Sequence, residues 1–191
     1  MSGPGRGHWD RKRSATERGA ARRLALLAAT RRAIADHGAD ANVGHVVALA
    51  GVGRNTFYAH FPDLRAARDA AEDEESERFR AVLAAEWAEA RTPRERLRAV
   101  ARAWVLTSNG SAEHPPPRLD ERRLGRLERA LWDALVEARA SGLIGREPDA
   151  FRVRCLAGAF AAAASDSPRG VAIEEDERAE ILLDFSLRAF R

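Results

Sequence analysis

An all-α fold is what this sequence predicts, and three observations predict it. Ala, Leu, Arg and Glu dominate a 191-residue chain that is 45% hydrophobic and 32% charged, and these four are helix formers. Tyrosine occurs once and β-branched residues are few, so runs that favour strands are missing. Apolar residues recur at three- and four-residue spacing along most of the chain. Charge at this level implies many solvated helix faces. A lone cysteine, Cys155, rules out an intramolecular disulfide and suits a reducing cytoplasm. No run approaches the roughly 18–20 apolar residues of a membrane span. The opening residues, Met1 to Trp9, lack the apolar segment of a signal peptide. A cytoplasmic protein with no membrane contact is the expectation.

Residues 1–15, rich in Gly, Arg and Ser, read as a flexible basic arm that either touches phosphates or is an idle tail. A first helix follows from about Thr16 to His37, with Ala21, Leu24, Leu27, Ala28, Ile34 and Ala35 at helical spacing and Gly38 as its stop. Asn42 is placed to cap a second helix, in which Val43, Val46, Val47 and Ala50 form one stripe. Gly44 inside that helix weakens it by about 1 kcal/mol on propensity. Gly51 ends it, Gly53 opens a third short helix over Arg54 to Phe61, and Pro62 closes that one. A long helix from about Asp63 to Ala90 carries Leu64, Ala67, Ala71, Phe79, Val82, Leu83 and Trp87. Its acidic run Glu72-Asp73-Glu74-Glu75 has no histidine beside it and reads as a solvated face.

Thr92-Pro93-Arg94-Glu95 is a helix start: an N-cap, a proline at the first position and a capping-box glutamate. Leu97, Val100, Ala101, Trp104, Val105 and Ser108 keep helical spacing to near Asn109. A proline loop over 110–117 follows, in which His114 is a candidate gate. The next helix, Leu119 to about Ala140, has Leu124, Leu127, Leu131, Ala134, Leu135 and Ala138 inside and stops at Gly142. Pro148 and Asp149 introduce another, to about Ser165. After a turn at 166–170, Glu174 to Arg191 form the last, with Ile181, Leu182, Phe185 and Ala189 on one side. Cys155 reads as a small core residue.

The net charge of +3 hides an asymmetry. Residues 1–61 hold ten basic and four acidic residues, a net +6, while the other 130 carry 22 basic and 25 acidic. Such a basic end either meets a polyanion or is a scattered basic surface. Residues 42–61 bear on that choice. A short helix, a glycine turn and a second short helix cannot bury a core alone. The first helix supplies the missing stripe, making a three-helix helix-turn-helix. The second helix of such a motif enters the major groove. Phe57 and Phe61 face inward with Val52, which leaves Arg54, Asn55, Thr56, Tyr58 and His60 outside. Arginine pairs with guanine and asparagine with adenine, and Thr56 and Tyr58 can donate to phosphates.

Residues 33–66 resemble the N-terminal domain of TetR-type (TetR/AcrR) transcriptional regulators. The specific parts are Ala50-Gly51-Val52, Thr56-Phe57-Tyr58 and His60-Phe61-Pro62. The resemblance covers roughly residues 17–70, and the rest agrees in length, helical content and helix order. It implies a homodimer on a palindromic double-stranded operator, with Asn42, Arg54, Asn55, Thr56, Tyr58 and His60 at bases or backbone. The chain departs from the family at Gly53, where Ser or Thr caps the recognition helix. It departs again at Leu64, where a lysine grips phosphate and where Arg65 is the available substitute.

The resulting organisation is an arm (1–15), a DNA-binding head (16–62) and a ligand-binding and dimerising body (63–191). Dimerisation is expected through Leu156, Phe160, Ile181, Leu182 and Phe185, since the family pairs its last two helices with a partner's. Phe79, Trp87, Trp104 and Trp132 lie on helices that surround the family's ligand cavity and point to an apolar or aromatic effector; plain core is the other reading. Nothing supports catalysis, a cofactor or a metal: the histidines at 8, 37, 45, 60 and 114 lack ligand spacing. A ligand-responsive repressor is the leading expectation. A non-specific architectural DNA-binding protein, and a helical small-molecule binder or enzyme with a degenerate head, are the rivals.

Overall fold

The structure, a computed structural model, describes residues 6–108, 121–165 and 173–191. Among these residues there are eight α-helices, a short 3-10 turn and no strand. In order they are α1 (Arg6–His37), the turn Gly38–Asp40, α2 (Val43–Ala50), α3 (Arg54–His60), α4 (Leu64–Glu89), α5 (Pro93–Ser108), α6 (Glu121–Ala140), α7 (Ala150–Ser165) and α8 (Glu175–Ala189). His114 and the turn at 166–170 lie outside the described residues. No described helix is long and apolar enough to cross a membrane. The chain divides into two compact units between Asp73 and Glu74, within α4.

One correction falls at the start. The sequence reads residues 1–15 as an arm, yet α1 already begins at Arg6. The stretch lacks an apolar stripe, but Arg6, Arg11, Lys12, Arg13 and Ala15 favour helix without one. Gly7 and Gly19 each oppose α1 by about 1 kcal/mol.

The first unit is built on α1. Leu26, Leu27, Ala29 and Ala33 pack with Val46 of α2, Phe57 of α3, Phe61, and Ala67 and Ala71 of α4. Leu24 stays exposed and Leu26 is inside, so the stripe runs slightly round the helix from the one that the spacing suggests. Thr30 is buried because its hydroxyl donates to the Leu26 carbonyl at 2.8 Å, which satisfies an otherwise costly group.

In the second unit α5 is the central helix, buried along Leu97, Ala99, Val100, Ala101, Ala103, Trp104 and Val105. Leu127, Leu131, Ala134, Leu135 and Ala138 of α6 pack in the same core, with Val153, Leu156, Ala157 and Phe160 of α7 and Ala179, Leu182, Leu183 and Leu187 of α8. On its outer side α5 carries Arg94, Arg98 and Arg102 one turn apart, facing Asp176, Glu180 and Asp184 of α8. Arg94 reaches Glu180 at 3.8 Å and Asp184 at 3.9 Å, and Arg98 reaches Asp176 at 3.8 Å. Arg98 also pairs with Glu180, and Arg102 with Asp176.

The start of α5 is the capping box that its sequence spells. The Glu95 carboxylate accepts from the Thr92 N–H at 2.9 Å and the Arg91 N–H at 2.7 Å, and the Glu95 N–H donates to the Thr92 hydroxyl at 3.2 Å. The Arg91 and Thr92 amides stabilise the charged form and hold the Glu95 carboxyl below its ordinary 4.5. A depressed folded pKa means that this contribution is present above pH 4.5 and is lost as pH falls through the lower folded value. Glu95→Gln is therefore expected to flatten the acid limb of a plot of melting temperature against pH. An unchanged acid limb in the variant would remove the capping box from the account.

Two further expectations are corrected here. Leu156, Phe160 and Leu182 are buried within the chain's own core, so they offer no surface to a partner. Cys155 is exposed: on α7 its neighbours Leu156 and Ala157 take the inner face, and residue 155 is turned outward.

Candidate nucleic-acid interface

The sequence places a cap, a turn and a short helix so that a polar face is held out on an apolar support. Asn42 takes an extended conformation, φ −142° and ψ 169°. Its side-chain oxygen accepts from the His45 N–H at 3.2 Å, which starts α2. Gly51 adopts φ 63° and ψ 33°, a left-handed conformation that costs other residues more. The Val52 N–H then donates to the Val47 carbonyl at 3.1 Å and closes the helix end. Gly53 caps α3 through its backbone alone, with its carbonyl accepting from Thr56 at 3.0 Å and Phe57 at 3.2 Å. Phe61 leaves α3 in extended backbone, φ −139°. Asp63 caps α4, accepting from the Ala66 N–H at 2.7 Å.

Phe57 is fully buried and Phe61 nearly so. Their rings pack at 5.8 Å, and the Arg23 guanidinium lies 4.7 Å from the Phe61 centroid. These contacts pin the inner face of α3. On the other face Arg54, Asn55 and Tyr58 are exposed, and Thr56 and His60 are half-buried. Asn42 and Arg65 are exposed as well, and Leu64 is half-buried against the core. From Val43 to Pro62 there is no acidic residue, so neither short helix carries a carboxylate to repel a phosphate backbone. The structure thus brings six predicted residues, Arg54 to Thr56, Tyr58, His60 and Asn42, to two short adjoining helices. Arg65 stands apart, in the first turn of α4.

Sequence reasoning missed Arg23 and Asp63. Asp63 carried a signal, being an acid three residues before the Ala66 amide at a helix start. Arg23 carried none, because a cation over a ring depends on packing between distant segments.

The four aromatic residues expected around an effector do not share one environment. Phe79 and Trp104 are buried edge to face at 6.1 Å. The Trp104 indole N–H donates to the Phe160 carbonyl at 3.0 Å, and the buried Arg123 guanidinium stacks 4.4 Å from its centroid. Trp87 is half-buried beneath Arg96 at 5.4 Å, and Trp132 is exposed on α6. Among the described residues no group of three or more His, Cys, Asp or Glu could hold a metal ion.

Residues 26–66 match the model of bacterial regulatory proteins of the tetR family. No curated protein matches the chain. Several solved structures share its fold. The fatty acid degradation regulator FadR from Bacillus halodurans superposes with a TM-score of 0.70 at 16% identity, over 87% of this chain and 94% of its own. The TetR transcriptional regulator SCO0520 from Streptomyces coelicolor is 28% identical over 88% of this chain and 98% of its own, with a TM-score of 0.53. AibR, solved with isovaleryl coenzyme A and operator DNA, gives a TM-score of 0.64 at 18% identity over 86% of this chain and 97% of its own. Residues 26–66 are thus similar to the regulatory proteins of the tetR family, and the chain has the fold of these solved regulators.

Proposed function

We propose that this chain is a DNA-binding transcriptional regulator that acts as a homodimer on a palindromic operator and responds to a small-molecule effector. One observation carries the reading: α3 is anchored by buried Phe57 and Phe61 and presents Arg54, Asn55 and Tyr58 on a face without carboxylates. Arg54 suits guanine and Asn55 suits adenine in a major groove, while Asn42, Thr56, Tyr58, His60 and Arg65 serve the backbone. The organisation we assign is a DNA-binding head that runs from α1 into the first part of α4 and an effector-binding, dimerising body beyond it.

For dimerisation the supporting observation is that large apolar side chains stay exposed on the last two helices, Phe151 on α7 and Ile181 and Phe185 on α8. For an effector the support is the family likeness together with AibR, whose structure holds both operator DNA and isovaleryl coenzyme A. Phe79, Trp87 and Trp104 are the residues we assign to an effector of apolar or aromatic character, with Trp132 the outlier. Effector binding is expected to alter the spacing of two recognition helices, which must match successive major grooves about 34 Å apart.

The test is fluorescence anisotropy with duplex DNA from upstream of the chain's own gene against a scrambled duplex at fixed salt. Preferential binding is expected. Arg54→Ala should weaken it about tenfold or more, the size of a lost bidentate base contact of about 1–3 kcal/mol. Tyr58→Phe, which loses only a hydroxyl, should cost less. Equal binding to both duplexes would favour a non-specific architectural role. Binding to neither would leave a helical small-molecule binder whose head no longer reads DNA, as the bare cap at Gly53 allows.

A further inference from the structure

Gly44 stands in the first turn of α2, where propensity alone argues against glycine. It has no positive φ to excuse it, since the positive-φ glycines among the described residues are Gly38, Gly51 and Gly142. Its surroundings supply the reason. A Cβ at this position would lie 2.9 Å from the Asn42 side-chain oxygen and 3.6 Å from a terminal nitrogen of Arg54. The first distance is shorter than real Cβ contacts allow, so one partner must give way.

Asn42 has little freedom to do so. Its oxygen accepts from the His45 N–H at 3.2 Å, and its amide nitrogen lies 3.4 Å from the Asp40 carbonyl and 3.5 Å from His45 Nε2. His45 is itself stacked on His37, with ring centroids 3.9 Å apart. A shift of the Asn42 carboxamide therefore lengthens the bond that starts α2. A terminal nitrogen of Arg54, the first residue of α3, would meet such a Cβ at ordinary van der Waals distance, so it takes a side chain longer than alanine's to reach the guanidinium.

The geometry points to Gly44 as a positioning residue of the interface: its missing side chain keeps the Asn42 carboxamide as the cap of α2 and leaves the Arg54 guanidinium a seat over the first turn of that helix. The cap of α2 and the first residue of α3 thereby both border the position of Gly44. The steric part stands on the fold alone, and the consequence for DNA rests on the proposed function.

Thermal melting tests the steric part without DNA. At an unconstrained helix position Gly→Ala stabilises, and about 1 kcal/mol in a chain of this size raises the melting temperature by about 2–4 °C. Gly44→Ala alone is expected to show no gain, and to show the full gain in an Asn42→Ala background, where the obstructing oxygen is absent. Equal gains in both backgrounds would overturn the inference.

For Arg54 the variant is Gly44→Gln, a good helix former whose side chain occupies the guanidinium's seat. With the same upstream duplex it is expected to lower affinity about tenfold, the scale of one displaced base contact. In an Arg54→Ala background it should lower affinity no further. Equal losses in both backgrounds would sink the link to Arg54. Failure of the wild-type chain to bind any duplex would overturn the DNA reading, and the melting pair would still decide whether Gly44 keeps Asn42 in place.

Discussion

Phe57→Ala is expected to destabilise the N-terminal unit by about 3–5 kcal/mol, the usual cost of emptying a buried phenylalanine site. Phe57 has no exposed surface and packs among Leu26, Leu27, Val46 and Phe61. A whole domain holds only about 5–15 kcal/mol, and this unit's core is the smaller of the two, so the loss should melt it at ordinary temperature. Circular dichroism and amide exchange would show protection lost in α1 to α3 and kept in α5 to α8. Tyr58, the next residue, is the control, being 52% exposed. Tyr58→Ala should move stability by no more than about 0.5 kcal/mol while still weakening DNA binding. A cost below about 1 kcal/mol for Phe57→Ala would mean that α3 is not anchored as described.

The second large effect is expected at α8. Ile181 and Phe185 are 52% and 49% exposed, one turn apart. Ile181→Asp combined with Phe185→Asp would place two charges in the proposed interface, where each costs several kcal/mol if buried unpaired. Sedimentation equilibrium should change from twice the chain mass to the single-chain 21.0 kDa. Affinity for a two-half-site duplex should fall with it, since each head would then bind alone. The melting temperature of the monomer should hold, because neither residue belongs to the core. A wild-type chain that sediments as a monomer at every concentration would refute the dimer directly.

The contrast between α3 and α8 shows what this sequence makes legible. On α3 and its C-cap, Phe57 and Phe61 sit four apart with no other aliphatic or phenyl side chain larger than alanine between Arg54 and Phe61, so one inner face was available and the polar residues followed. On α8, Ile181, Leu182, Leu183, Phe185 and Leu187 crowd a single stretch. Neighbouring residues differ by about 100° around a helix, and a buried arc wide enough for two neighbours can extend from Leu182 toward Ile181 or toward Leu183, so spacing alone does not choose the side. The core takes Ala179, Leu182, Leu183, Ser186 and Leu187, and only the packing partners, which are distant in sequence, decide that. Cys155 failed for the same reason. The helix ends were clearer because they rest on local chemistry: Asn42, Gly51, Pro62, the Thr92–Glu95 box and Asp149. The role of Gly44 was invisible, since a glycine in a helix shows its cost in the sequence and its purpose only beside Asn42 and Arg54.

The ladder between α5 and α8 has acids every fourth residue against arginines every fourth residue. A slide of α8 by one turn, about 5.4 Å, would put Asp184 where Glu180 stands and Glu180 where Asp176 stands. Most rungs would re-form, so the charges favour the pairing of these two faces yet are nearly blind to register. The apolar side is not blind. The same slide would push Leu183 into the site of Ala179 and Phe190 into that of Ser186, both buried, and overfilling such sites costs about 1–3 kcal/mol each. Two of the smallest residues on α8 thus act as its ratchet teeth.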